Sequence, residues 1–229
     1  MYYLKSFFLK FNGNHCRKWI FLLIFFFIPY LGIGFNSEIE DSYDFSGARI
    51  VKPTKLSETE KAASEMLVEE IEERTTIKLP ASTEWPASSI PVIAIGTETS
   101  LENMGPFDSG IFQSYNKASE GFMIKVNNEL RDAPTIFIIG NDTRGMLFGI
   151  GYFLRKISMY PGKLYVPSNI GIVTSPTVSL RGHQLGYRPK TNSYDGFDEE
   201  MWEQYIRDLI VFGTNSVEIM PPNTDDISS

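Results

Sequence analysis

The sequence predicts an α+β fold, a small sheet with its helices on one face, followed by a strand–helix–strand unit. Three observations predict it. Apolar runs suited to strands alternate with amphipathic stretches in the order strand, helix, strand, strand, strand, helix. The run "APTIFIIG", apolar on both faces as a central strand is, passes through a glycine turn into a helix. Farther on, Val178 to Met220 reads as strand, helix and strand at the lengths of one βαβ unit.

The chain has 229 residues, enough for one or two domains of roughly 100–200 residues each. Its apolar content of 42% suffices for a packed core. The formal charge is −7, yet residues 1–35 contain Lys5, Lys10, Arg17 and Lys18 and no acid, so the remainder stands at −11. A phosphate backbone repels such a body, and nucleic acid is not an expected partner.

The basic leader "MYYLKSFFLKFNGNHCRK" precedes an uncharged apolar run, Trp19 to Phe35, with the small-x-small pattern Gly32-Ile33-Gly34. This is the layout of a secretory signal peptide. The alternative is an uncleaved anchor over 19–35, since about 17 apolar residues is the short limit of a span. Pro29 and the two glycines favour the cleaved signal and export to a periplasm, cell surface or medium. The membrane is then met only through the N-terminal segment. Cys16, the single cysteine, lies before the apolar run, so the mature chain has no disulfide, thiolate nucleophile or cysteine metal site.

An acidic connector, 36–46, leads into the short strand "ARIV". In "LSETEKAASEMLVEEIEERT", Ser57 and Glu60 form a capping box, and Ala63, Met66, Leu67 and Ile71 fall on one face. Glu69, Glu70, Glu72 and Glu73 are expected on a solvated face. Strands follow at "PVIAIGT", "GFMIKVNN" and "APTIFIIG", and a helix from Thr143 to Lys156 closes the set.

The turn before that helix, Gly140 to Gly145, has the glycine spacing of a phosphate cradle, but Met146 and Leu147 stand where lysine and a hydroxyl belong. The expectation is a structural corner. Asn141 or Asp142 caps the helix, and Gly145 and Gly149 let it approach the sheet closely. Asn141-Asp142-Thr143 is formally a glycosylation triplet, which a helix cap explains better.

"GNDTRGMLFGIGYFL" resembles the segment G-x-D-x-R-G-x-x-Y-G-x-x-x-L of the α+β domain preceding the catalytic barrel in β-N-acetylhexosaminidases and α-glucuronidases. Gly140, Asp142, Arg144, Gly145, Gly149 and Leu154 match it, with one position of drift at the last, and Phe148 replaces the tyrosine. "ERTTIKLP" resembles the T-G-x-x-L-P turn of the same domain. "SPTVSLRGHQLGYRP" resembles the start of the hexosaminidase barrel, with Arg181, Gly182 and Leu185 matching, Gly186 in place of an aspartate and Ser179 in place of a bulky residue.

The resemblance implies an α+β accessory domain followed by the first βαβ unit of an incomplete (β/α)8 barrel. The corresponding division is a signal or anchor at 1–35, connector 36–46, accessory domain 47–160, linker 161–177 and a truncated barrel start at 178–229. The chain is expected to be the N-terminal portion of a glycoside hydrolase acting on an oligosaccharide or polysaccharide. The catalytic carboxyl groups come from later barrel strands, so none is expected here, and the chain is not expected to be active alone. The alternative is a non-catalytic carbohydrate-binding or surface-interaction module.

Residues expected to touch substrate are Arg181, at the end of the first barrel strand, His183 on the same side of that strand, and Tyr187 and Arg188 in the loop beyond it. Arg181 is equally open to a structural role beside a carboxylate. A single histidine is more often a packed, hydrogen-bonded residue than an acid or base. Asn192, Tyr194 and Asp195 complete a loop that suits sugars and also suits ordinary surface. Glu218 is expected in a structural ion pair, and Asp198, Glu199 and Glu200 start a helix. No metal site or cofactor is expected. The absence of H-E-x-x-H, G-x-S-x-G and a cysteine pair leaves zinc protease, serine esterase and thiol chemistry without support.

Overall fold

The computed structural model describes residues 41–101, 118–185 and 193–219, all inside the compact unit Asp41–Ser229. The expected signal or anchor, 1–35, lies outside them.

Strands β2 (Arg49–Val51), β3 (Ala81–Ser82), β4 (Val92–Thr97), β5 (Phe122–Asn127), β6 (Thr135–Gly140) and β9 (Gly171–Thr174) form one six-stranded sheet in the order β3-β2-β4-β6-β5-β9. The first four in that order are parallel, while β5 runs antiparallel to β6 and β9 antiparallel to β5. Register pairs Ile93 with Ile136 and Ile95 with Ile138. Every residue of β6 is buried, as its double-sided apolar pattern requires.

Helix α1 (Glu58–Thr75) starts on the expected capping box: Ser57 Oγ accepts from Glu60 N, and the Glu60 carboxylate accepts from Ser57 N at 2.8 Å. Its last turn is tied by Thr75, whose hydroxyl donates to Ile71 O, and Thr76 adopts the left-handed conformation that ends it. Ala63, Met66, Leu67 and Ile71 are buried. Helix α3 (Thr143–Leu154) packs beside α1 on the same face of the sheet. Together they enclose Ile50, Ile95, Ile124, Ile136 and Ile138 with Met146, Ile150 and Phe153.

The other face is covered without a long helix. Val51, Val92, Ala94, Met123, Phe137 and Ile139 form a second apolar cluster under Leu101, from the one-turn helix α2 (Glu98–Leu101), with Trp85 and Leu130 against it. A small antiparallel sheet, β1-β8-β7 (Ser42–Asp44, Lys163–Pro167, Ser158–Tyr160), adds Leu164 and Val166 to the helical core.

Two expectations are corrected. Residues 161–177, expected as a linker, carry β8 and β9, and β9 is an edge strand of the main sheet. The connector 36–46 contributes β1, paired with β8. In both cases the strand is three to five residues long and only partly apolar, and its stability comes from the partner strand.

The remaining strands, β10 (Gly182–Leu185) and β11 (Ser216–Ile219), form a separate parallel pair, with Gly182 opposite Ser216 and Leu185 opposite Ile219. Helix α4 (Glu199–Val211) joins them, so the expected strand, helix and strand are all present. Asp198 caps α4 by accepting from Met201 N at 2.9 Å. At the far end Gly213 has φ +90, its N–H donates to Ile210 O, and Thr214 N donates to Leu209 O. This is a Schellman ending, and the positive φ explains the glycine.

Candidate functional site

One contact between the βαβ unit and the α+β domain centres on a buried carboxylate. Glu120, just before β5, holds a left-handed backbone with φ 59, and its side chain is buried. Arg181 Nη2 donates to it at 2.6 Å and Arg144 Nη1 lies at 2.9 Å. Asn215 Nδ2 donates to the same carboxylate at 3.2 Å, while its Oδ1 accepts from Arg181 N and its carbonyl from Arg144 Nη2. Two arginines and an amide from three elements thus close on a single acid. That geometry meets the condition for burying a charge, full pairing plus hydrogen bonds.

Asp142 holds the acid in place. Its carboxylate caps α3 at Gly145 N, 2.7 Å, and accepts from Glu120 N and Ser119 Oγ. Burial works against the Asp142 charge, but these backbone and hydroxyl donors outweigh it and hold the carboxyl below its ordinary range. Gly145 is a glycine because the Gly121 carbonyl occupies the space of a Cβ, and at Gly149 a Cβ would lie 3.0 Å from the Ile138 methyl. The motif Gly140-x-Asp142-x-Arg144-Gly145 therefore builds the junction: the aspartate aims Glu120, the arginine pairs with it, and the glycine admits its chain. The corner read from the sequence is a clamp as well.

Arg181 lies immediately before Gly182, at the N-terminal end of β10. The expectation placed it at the end of that strand, and the structure corrects this. Its donors are committed: Nε to Gly213 O at 2.7 Å, Nη1 to Val178 O at 3.0 Å and Nη2 to Glu120, with the guanidinium over the Phe148 ring. The structural alternative for this residue is the one these contacts describe, although its carboxylate partner comes from the α+β domain.

His183 lies in β10. Its Nε2 is 2.8 Å from Tyr205 Oη, which is 3.2 Å from Tyr194 Oη. The Tyr194 hydrogen bond, together with burial, pushes the Tyr205 hydroxyl above its ordinary value. Tyr194, Phe197, Trp202 and Tyr205 pack as one aromatic group at the start of α4, with Tyr194 stacked on Trp202. Tyr187, Arg188 and Asn192 lie outside the described residues. Asp195 falls in the one-turn 3-10 helix Ser193–Gly196. Glu218 is exposed and makes no ion pair with the described residues, contrary to expectation.

Helix α4 rests on the domain by polar and apolar contacts together. Glu69 pairs with Arg207 at 2.6 Å, and Glu70 accepts from Gln204 Nε2. Glu70, expected among solvated glutamates, is instead buried, because Arg74 on the next turn neutralises it. Val211 backbone approaches Gly151 so closely that a Cβ there would lie 2.9 Å from Val211 Cα. Sequence reasoning missed Glu120, Asn215 and Gly151. The one available signal was for Gly151, a third small residue on a helix whose other two glycines face the sheet. Among the described residues, no group of three His, Cys, Asp or Glu side chains could hold a metal ion.

No family model and no curated protein sequence matches the chain. Solved structures do. A GH20 β-N-acetylhexosaminidase from Streptomyces coelicolor aligns over 78% of this chain and 31% of its own, with a TM-score of 0.54 and 16% identity. A GH115 4-O-methyl-α-glucuronidase with specificity for decorated arabinogalactans aligns over 75% of this chain and 24% of its own, with a TM-score of 0.53 and 16% identity. A GH20 exo-β-N-acetylglucosaminidase from Vibrio harveyi aligns over 78% and 23%, with a TM-score of 0.50 and 16% identity.

The chain shares its fold with domains of glycoside hydrolases. These neighbours belong to the two groups that the motifs resemble. The chain spans under a third of the length of each.

Proposed function

We propose that the chain is the α+β accessory domain and opening βαβ unit of an exported glycoside hydrolase, hexosaminidase- or α-glucuronidase-like, acting on an oligosaccharide or polysaccharide. The observation that carries this reading is the parallel β10-β11 pair. It stands apart from the six-stranded sheet, joined by a crossover helix that has no fully buried residue. Parallel strands are stable when both faces and both edges are covered, which two strands and one helix do not achieve. Leu180 is 68% exposed, Phe212 73% and Ile206 42%. Further βα units, closing a (β/α)8 barrel, would cover them.

In that barrel the chemistry lies at the C-terminal ends of the strands. Tyr187 and Arg188, which follow β10 in the sequence, are then the substrate contacts of this segment, together with His183. Arg181, at the opposite end of the strand, anchors the barrel to the accessory domain. The two carboxyl functions that break a glycosidic bond come from later strands. Export follows from 1–35, with a membrane anchor at 19–35 as the alternative, and the charge of −11 beyond residue 35 disfavours nucleic acid.

The test has two arms. The purified chain should not turn over aryl-β-N-acetylglucosaminides or aryl-α-glucuronides, and measurable hydrolysis would refute the assignment of catalysis to later strands. Reading the coding DNA beyond Ser229 should reveal further βα units with a carboxyl pair in or next to this frame; clean intergenic sequence would refute the hydrolase reading. A second reading, a carbohydrate-binding module without catalysis, is favoured by the α+β core itself. Ile50, Ile136, Ile138 and Phe153 are fully enclosed without help from a barrel.

A further inference from the structure

The parallel pair β10-β11 has two unlike faces. His183 lies against Tyr205 of α4, and its register partner Val217 lines a cavity together with Ile206 and Leu209 of the same helix. Leu185, two residues beyond His183, is buried. Side chains alternate along a strand, so Gly182, Gln184, Ser216 and Glu218 belong to the face turned away from α4. Exposure follows the same alternation: Gln184 and Glu218 are exposed, while His183 and Val217 are half-buried.

A (β/α)8 barrel carries its helices outside, which makes this second face the barrel interior. Such interiors are filled mainly by bulky branched side chains. This face has none. Gly182 stands opposite Ser216, both small, and one step nearer the C-terminal ends Gln184 stands opposite Glu218. The two long polar side chains are therefore set toward the end of the strands where barrel chemistry lies. Strand β6 shows the contrast, since its enclosed residues from Ile136 to Ile139 are all apolar.

A carboxylate inside a barrel loses water and needs hydrogen-bond donors in exchange. Glu218 makes no ion pair with the described residues, so no cation among them meets that need. The hydroxyls of a pyranose ring do: they donate to Glu218, and they both donate to and accept from the Gln184 amide. A uronic acid in the same place would set a second carboxylate beside the first, and like charges in a shielded site repel.

We infer that Glu218, with Gln184 beside it, is a substrate-binding and specificity-determining residue, taking the hydroxyls of an uncharged pyranoside and disfavouring a uronide. The inference rests on the barrel proposed above and narrows its substrate class. It also moves the contact made from within the strand pair from His183, which is turned toward α4, to Glu218.

The test uses the complete enzyme encoded by the frame continuing past Ser229, assayed on aryl β-N-acetylglucosaminide, aryl β-galactoside and aryl α-glucuronide. An uncharged glycoside should lead the glucuronide at least tenfold in kcat/KM. Glu218→Gln should raise KM for that glycoside about tenfold with kcat within about threefold, the signature of lost substrate binding. The same variant should narrow the lead over the glucuronide at least fivefold. Glu218→Asp and Gln184→Ala should each raise KM about threefold, whereas Lys61→Ala, on α1, should change nothing. If Glu218→Gln fails to fold, those two variants decide. Preference for the glucuronide overturns the inference and leaves the hydrolase standing. So does a Glu218→Gln enzyme that melts lower yet keeps its KM and its preference, as loss of a structural ion pair would produce. Absence of a continuing frame, or hydrolysis of none of the three glycosides, overturns the hydrolase reading and this inference with it.

Discussion

Helices α1 and α4 are built alike and end up in different circumstances. Each begins on a side-chain cap, Ser57 or Asp198, and each carries an apolar stripe at helical spacing. The stripe of α1 disappears into the core at Ala63, Met66, Leu67 and Ile71, whereas α4 has no fully buried residue and leaves Met201 51% and Ile206 42% exposed. Burial is therefore a property of the partner. The α+β domain supplies a six-stranded sheet for its helices, and the βαβ unit supplies two short strands. What the smaller unit lacks in apolar contact it replaces with charge at Glu120, Glu69 and Glu70, contacts that fix orientation more than they add stability.

The contrast can be broken by substitution. Phe153→Ala, in the closed core, should cost about 3–5 kcal/mol in urea unfolding, since the cavity sits between a sheet and two helices that cannot collapse. A loss under 1 kcal/mol would mean the core is not the closed body described. Glu120→Ala should cost less, about 1–3 kcal/mol, because both arginines are partly exposed and can rehydrate. Its signature is regional: amide exchange should quicken in α4 and β10 while α1 keeps its protection. Uniform acceleration across both regions would show that the junction is not a separable clamp.

Asp142 gives a smaller, pH-dependent effect. Its folded carboxyl titrates below the unfolded value of about 3.9, so its contribution is present above that pH and is lost as the pH falls through the folded value. Asp142→Asn should flatten the acid limb of the stability curve below about pH 4, with a loss of roughly 0.5–2 kcal/mol at neutral pH as the cap weakens. An unchanged acid limb would remove Asp142 from the junction. Ile206→Ala, at the exposed stripe of α4, should change stability by under about 0.5 kcal/mol. A cost comparable to that of Phe153→Ala would show that α4 is already covered, and the case for further βα units would weaken.

Much of this was legible in residue order. The capping box at Ser57, the cap at Asp198, the stop at Gly213 and the double-sided strand Thr135–Gly140 are all settled within a few residues of chain. The site was less legible. Arg181 was found by its motif but assigned to the wrong end of its strand, because four consecutive strand residues do not reveal where pairing begins. Its partner Glu120 is 61 residues away in a polar stretch with no periodicity, and its left-handed backbone is unusual for glutamate.

By itself the sequence determined the helices α1, α3 and α4, the central strands β4, β5 and β6, and which of their faces are apolar, because caps, glycine stops and hydrophobic periods act over one or two turns of chain. Only the tertiary structure decided that residues 161–177 complete the sheet and that a buried glutamate joins two units through two arginines. Those outcomes depend on partners tens of residues apart, and the energy that selects them, desolvation set against pairing, exists only once the chain has closed around them.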